Sequence, residues 1–321
     1  MRTFNIVATV IVLVASAAFV STASAQSPYT KDARWSVEFG GKAYDRPGDD
    51  LGIPLIIDGI TRETLFDSEQ ASSLGSTAGA EVKFNFVSRH GNEIEIRTIL
   101  ANWNENYEIE GDNLRSPFFP VPGSEPTTVN YDYESDYFSI ELMKRKAILP
   151  GVTCMFGPRF VSTKDEVTFA GSLLVDPGDG SPPVVFTQTQ TTEATNALIG
   201  LQGGFEVNVP VGQTCYVNGF MRLGGYTNPT EVTIGGGDNF SNISTLTSET
   251  KSTGSFLGEV GGRLYGDIVP NCLAGYVGYE ATWIDGIALA PAQLLPTSVG
   301  GVETSNTAFF HAVTFGFNFS Y

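Results

Sequence analysis

Residues Val313–Tyr321 read VTFGFNFSY. Val313, Phe315, Phe317, Phe319 and Tyr321 share one parity, and Thr314, Gly316, Asn318 and Ser320 the other. Side chains alternate across a strand, so this stretch specifies a β-strand with one aromatic face and one small, polar face. In a soluble sheet such an apolar face covers a core. In the wall of a transmembrane barrel it meets lipid, and the polar face turns to the lumen.

The same patterning recurs along the chain. Ten segments read as strands: roughly 34–44, 77–89, 92–103, 131–144, 151–163, 194–208, 213–226, 253–266, 271–285 and 307–321. The connections at 89–92, 145–150, 209–212 and 267–270 are short. Those at 45–76, 104–130, 164–193, 227–252 and 286–306 are long and rich in Gly, Pro, Ser, Thr and Asp. Short turns at one end and long loops at the other suit an all-β, up-and-down antiparallel transmembrane barrel of about ten strands, with periplasmic turns and extracellular loops. Twelve strands, with two drawn from 51–66 and 117–130, is the alternative count. Trp35, Trp283, Tyr226 and Tyr321 fall near strand ends, where an interfacial aromatic belt places such residues.

Residues 1–25 have the form of a signal peptide: Arg2, an apolar stretch from Ile6 to Val20, and the small residues Ala23-Ser24-Ala25. A short periplasmic segment, 26–33, would follow, and then a single barrel over 34–321. This organisation implies Sec export and a bacterial outer-membrane location. The 35 acidic residues outnumber the 18 basic ones, for a formal net charge of −17, which argues against nucleic acid as a partner.

Within the strands, charges occupy the parity opposite the apolar residues. Glu38, Glu81, Glu93, Glu95, Glu141, Glu206, Glu259 and Glu280, with Lys42, Lys83, Arg97, Arg159, Arg222 and Arg263, are therefore expected to face the lumen. A charge at mid-membrane on the lipid side would cost about 2–4 kcal/mol, which accounts for this segregation. Acids and bases nearly balance, so the set reads either as a salt-bridged filling or as the lining of a narrow cation-preferring pore. Most of the acidic excess falls in the five long connections, which predicts an acidic canopy at the outer mouth. The apolar run Leu51 to Ile60 is unusual for an exposed loop and would suit packing over that mouth.

One run is more specific. Gly275 to Leu294, GYVGYEATWIDGIALAPAQL, resembles the signature of a planctomycete family of outer-membrane β-barrel proteins, the beta-barrel porin class numbered seven. Thr195 to Gln202 is similar to that family's RN-x-L-x-G-x-Q strand, with Thr195 where a basic residue is expected. Gly157-Pro158-Arg159-Phe160 is similar to its G-x-R-Y strand, and Phe310-His311-Ala312 to its terminal f-H-G-a. The resemblance covers about the C-terminal half. It implies an outer-membrane barrel and brings no substrate, ligand or catalytic residue.

Little else carries chemistry. The two histidines, His90 in a short turn and His311 on the outward parity, do not fit a hydrolase site, and no enzyme or cofactor is expected. Asp285 reads as the start of a turn. Asp176 and Asp179, in a Gly-kinked loop, are weak divalent-cation candidates without EF-hand spacing. Cys154, Cys215 and Cys272 fall at the starts of non-adjacent strands, too far apart for a disulfide, and are expected to be free. The expected partners are outer-membrane lipid, the barrel-assembly machinery through the terminal strand (Phe315, Phe317, Phe319, Tyr321) and divalent cations. Two functions fit: a structural or pore-type barrel, or a cell-surface binder whose loops hold divalent cations, glycan or a surface layer.

Overall fold

The computed structural model describes residues 34–48, 54–58, 60–88, 93–111, 114–115, 127–175, 182–212, 214–238, 244–270, 272–293 and 302–321. In chain order its elements are β1 (Arg34–Arg46), β2 (Pro54–Asp58), β3 (Thr64–Asp67), α1 (Ser68–Ser72), β4 (Gly75–Val87), β5 (Glu93–Glu110) and β6 (Leu114–Arg115). There follow β7 (Thr128–Leu149), β8 (Val152–Val175), β9 (Val184–Pro210), β10 (Cys215–Asp238), β11 (Ser244–Val269), β12 (Leu273–Ile287), α2 (Ala290–Gln293) and β13 (Asn306–Ser320).

Ten strands close an antiparallel barrel in the order β1-β13-β12-β11-β10-β9-β8-β7-β5-β4. The terminal strand closes the wall. Phe317 pairs with Phe39 and Ser320 with Ser36, and Tyr321 and Trp35 exchange backbone hydrogen bonds of 2.9 and 3.2 Å. A closed ladder leaves no edge over its paired length. The described residues of segment 51–66 add no wall strand: β2, β3 and β6 form a separate small sheet.

Outside, the wall carries an apolar band. Phe315, Phe317, Phe319 and Tyr321 are exposed on it, as are Ile94, Leu142, Phe156, Leu201, Val217, Met221, Leu264 and Val277. Lys144 and Lys146 lie at its short-turn margin; Asp45, Asp136 and Asp285 lie at the other. The cysteines are free thiols. Tyr226 is corrected from the expected outer belt. It is buried on the lumen side, where its hydroxyl donates to Gln202 at 3.2 Å.

The second correction concerns the long connections. β7 to β11 run for 22 to 27 residues, against 13 to 15 for β1, β4, β12 and β13. Much of 104–130, 164–193 and 227–252 is therefore wall rather than loop. On β7 the polarity reverses between Asp136 and Phe138. Below that point Phe138, Ile140 and Leu142 face outward and Ser139 and Glu141 inward. Above it Asp132, Glu134 and Asp136 face outward and Val129, Tyr131 and Tyr133 are buried inside. Of the acids in the expected loops, Glu108, Glu110, Glu231 and Glu249 are exposed on wall strands, whereas Asp58, Glu63, Asp67 and Glu69 belong to the inserted segment.

Prolines inside strands need local repair, since each removes a ladder donor. At Pro229 the β9–β10 pairing skips two residues, and the Ala197 N–H donates instead to Asn228 Oδ1 at 3.1 Å. Glycine has a different use at Gly258, where the Trp283 indole lies across the strand and a Cβ would collide with it. A Gly258→Val variant is expected to lose roughly 1–3 kcal/mol through this overpacking. Urea unfolding followed by tryptophan fluorescence measures the loss; an unchanged midpoint would contradict the packing.

Candidate functional site

Among the described residues, the lumen gathers the largest set of charged side chains from these strands. Thirteen of the fourteen predicted lumen charges are buried inside the barrel, and Glu93 is half-buried at the short-turn rim. They form a connected network. Glu259 accepts from three guanidinium groups: Arg97, Arg159 at 3.0 Å and Arg222 at 2.9 Å. Arg97 also forks onto Glu81 through Nε at 3.0 Å and Nη2 at 2.9 Å. Arg263 donates to Glu38, to Glu81 at 2.7 Å and to Glu280 at 3.4 Å. Lys42 pairs with Glu280 and, at 2.8 Å, with Glu81. Arg222 reaches Glu95 at 3.1 Å, and Lys83 reaches Glu38 at 3.1 Å.

Neutral groups complete the network. Gln202 bonds Glu141 and receives Arg159 Nη1 at 3.3 Å. Arg159 also donates to Ser139 at 2.9 Å and Tyr137 at 3.0 Å. The side chains of Arg97 and Arg159 have no exposed surface. Charges this far from water persist only when paired and hydrogen-bonded, and that condition is met from every side.

Sequence reasoning missed three charged members. Arg145, assigned to a turn, is buried, donates to Glu95 and to Glu206 at 2.8 Å, and forms an ion pair with Glu93 at 3.2 Å. Arg46 and Asp165, assigned to loops, form a second pair higher in the barrel at 3.3 Å, with Ser135 donating to Asp165 at 2.5 Å. The guanidinium of Arg46 lies over the rings of Tyr133 and Phe310. The parity of Arg145 and Arg46, shared with Glu141 and Lys42, was the available signal.

Around and above the Arg46–Asp165 pair the lumen is mostly apolar. Trp103 lies between the tilted rings of Tyr44 (5.6 Å) and Phe310 (5.5 Å), and Tyr137 meets Phe310 at 5.7 Å. Two inserted segments fill the remaining space. From the first, Leu55, Ile56, Phe66, Ala71 and Leu74 are buried against Tyr131 and Phe169. Ile60 stays exposed, so only part of the apolar run packs inward. Asp58 shapes the turn there. It accepts from the backbone of Ile60 at 2.7 Å and Thr61 at 2.6 Å, which holds its carboxyl below the usual range. The helix α1 is closed by a capping box between Asp67 and Gln70.

The second insert is the WIDGIALAP run. Asp285 stays on the outer surface and accepts from Thr307 at 2.7 Å. A bulge at Gly286, with φ 79°, then turns the chain into the barrel. Ile287, Ala288, Leu289 and Ala290 are fully or nearly fully buried. Asn196 holds Ala288 as a strand neighbour would: its Oδ1 accepts from Ala288 N at 2.9 Å, and its Nδ2 donates to Ala288 O at 2.7 Å. Asn228 and Ser255 donate to Gly286 O at 3.2 and 2.6 Å.

His311 faces outward and meets Asp45 at 3.0 Å. His90, Asp176 and Asp179 lie outside the described residues. Among the described residues no group of three or more His, Cys, Asp or Glu is arranged to hold a metal.

A scan against family models finds no match, and neither does a search of curated proteins. Solved structures do resemble the fold. The outer membrane protease OmpT from Escherichia coli is 10% identical, covering 91% of this chain and 97% of that one, with a TM-score of 0.41. The translocator domain of the autotransporter NalP from Neisseria meningitidis is 10% identical over 95% of this chain and 96% of that one, TM-score 0.39. A major outer membrane protein from Thermus thermophilus is 11% identical over 90% of this chain and 99% of that one, TM-score 0.34.

The network makes a sharp energetic claim. Glu259→Gln leaves three guanidinium groups around a neutral amide, and breaking a buried ion pair on one side costs about 3–5 kcal/mol. Equilibrium unfolding of the variant should show that loss, whereas a change under about 1 kcal/mol would mean that Glu259 is hydrated rather than buried.

Proposed function

We propose that this chain is a bacterial outer-membrane barrel, of the kind the planctomycete resemblance implies, whose lumen is closed and whose role is structural rather than catalytic. The observation that carries the reading is the pairing of an exposed apolar band with a lumen filled by mutually neutralising charges. Exposed apolar surface on this scale needs a lipid or protein cover. A band on every wall strand, with charges confined to its margins, suits lipid. Lys144 and Lys146 would reach the phosphate level at the periplasmic side, the terminal strand would engage the assembly machinery, and residues 1–25 would direct Sec export.

A cation-preferring pore is less well supported. With Arg145 included, the lumen holds about as many bases as acids, and Arg97 and Arg159 are out of reach of water. In planar bilayers the refolded protein should insert without discrete conductance steps. Regular cation-selective steps from the unmodified chain would overturn the closed reading.

A specific observation favours surface binding as the second reading. Glu108, Asp132, Glu134 and Asp136 face outward on the part of β5 and β7 above the band, where they would stand clear of lipid. Divalent cations would then bridge this wall to an acidic surface layer. Calorimetry with calcium should register binding that Asp132→Asn/Glu134→Gln reduces; no heat with the unmodified protein would discard the idea.

A further inference from the structure

At the short-turn end the barrel opens into a blind vestibule of about 290 Å³, near the lower limit for small-ligand pockets. Its inner end is the buried charge network, so the vestibule leads to no passage among the described residues. Two acids and two bases line it, and each acid is already paired: Glu38 with Lys83 at 3.1 Å, and Glu206 with Arg145 at 2.8 Å. Glu38 also accepts from Tyr265 at 2.9 Å, and Glu206 from Asn208 at 3.1 Å. The walls therefore present no net charge to attract an ion.

The groups with capacity to spare are neutral. Asn85, Asn208, Asn218 and Asn318 face the same space from β4, β9, β10 and β13. Each carboxamide offers two donors and an oxygen with two lone pairs. Asn218 donates to Asn208 at 2.9 Å and Asn85 to Ser36 at 3.2 Å, which uses one donor of each. The buried Asn85 Oδ1 has no hydrogen-bond partner among the described residues. A buried carbonyl oxygen without a donor is costly and marks a place for an incoming O–H or N–H. Beside the asparagines stands a flat aromatic pair, Tyr216 on Tyr265, with centroids 4.7 Å apart and planes 3° from parallel.

We propose that this vestibule is a binding site for a neutral, hydroxyl-rich ring, a mono- or disaccharide. Hydroxyl groups are donors and acceptors at once, which matches carboxamides better than it matches charged groups. The C–H face of a pyranose suits the tyrosine pair. The inference rests on the vestibule alone and holds whether or not the outer band meets lipid.

The test is calorimetry and saturation-transfer NMR on the full chain, refolded in a detergent without a sugar headgroup. Glucose, N-acetylglucosamine and maltose are titrated, with glycine and glucuronate as charged controls. At least one neutral sugar should bind, and two variants should each weaken it about tenfold: Asn85→Leu by leaving a sugar hydroxyl unmatched, and Tyr216→Ala by removing the ring its C–H face rests on. Asn85→Asp, nearly the same size, supplies a second variant should Asn85→Leu fail to fold; heat-modifiable gel mobility reports folding. No response to any neutral sugar, a response to the charged controls alone, or a response that these variants leave unchanged would overturn the proposal.

Discussion

Glu259 is the tightest constraint in the molecule, because one carboxylate without exposed surface receives three arginines that arrive from β5, β8 and β10. Desolvating four charges is expensive, and only simultaneous closure of all their hydrogen bonds offsets it. Those arginines in turn bind Glu81, Glu95 and Glu141, so strands on opposite sides of the wall are joined across the axis. Closure of the ladder by β1 and β13 and filling of the lumen thus depend on each other: an open sheet would leave the charges wet and unpaired.

The wall changes meaning along its height. Below the level of Phe138 it separates an apolar exterior from a charged interior. Above it the outer face of β7 is acidic, and the interior is a largely apolar core containing Trp103, Tyr131, Phe169 and Leu257, with the Arg46–Asp165 pair and Asn196 buried among them. A core in that place requires something to pack against. The inserts 54–58, 64–74 and 287–293 supply it, with small and branched side chains that fit among the rings.

Much of this architecture was legible. Period-2 alternation located all ten wall strands, and parity placed the charges inside, because the apolar band leaves them nowhere else. What remained hidden followed from the same rule read too narrowly. Glu166-Val167-Thr168-Phe169, within the expected loop 164–193, alternates as strictly as VTFGFNFSY, with Val167 and Phe169 on the lumen parity. An expectation of greasy-outside strands turns such a stretch into loop. Arg145, Arg46 and Asp165 were lost with those misassigned ends. The partnership of Asn196 with Ala288 joins residues 92 positions apart and has no signature in local sequence.

The four stretches that carry the family resemblance are scattered in sequence, yet each contributes to the lumen. Arg159 of GPRF binds Glu259, and Gln202 of the Thr195–Gln202 run links Arg159 to Glu141. Asn196 of that same run holds the inward turn of WIDGIALAP, and Phe310 of the terminal motif packs on Trp103. Their common task is therefore to fill and fix the interior. Each of these stretches touches groups supplied by another stretch or by the charge network, and that mutual contact is the packing expected where a barrel of this width has its interior filled by side chains.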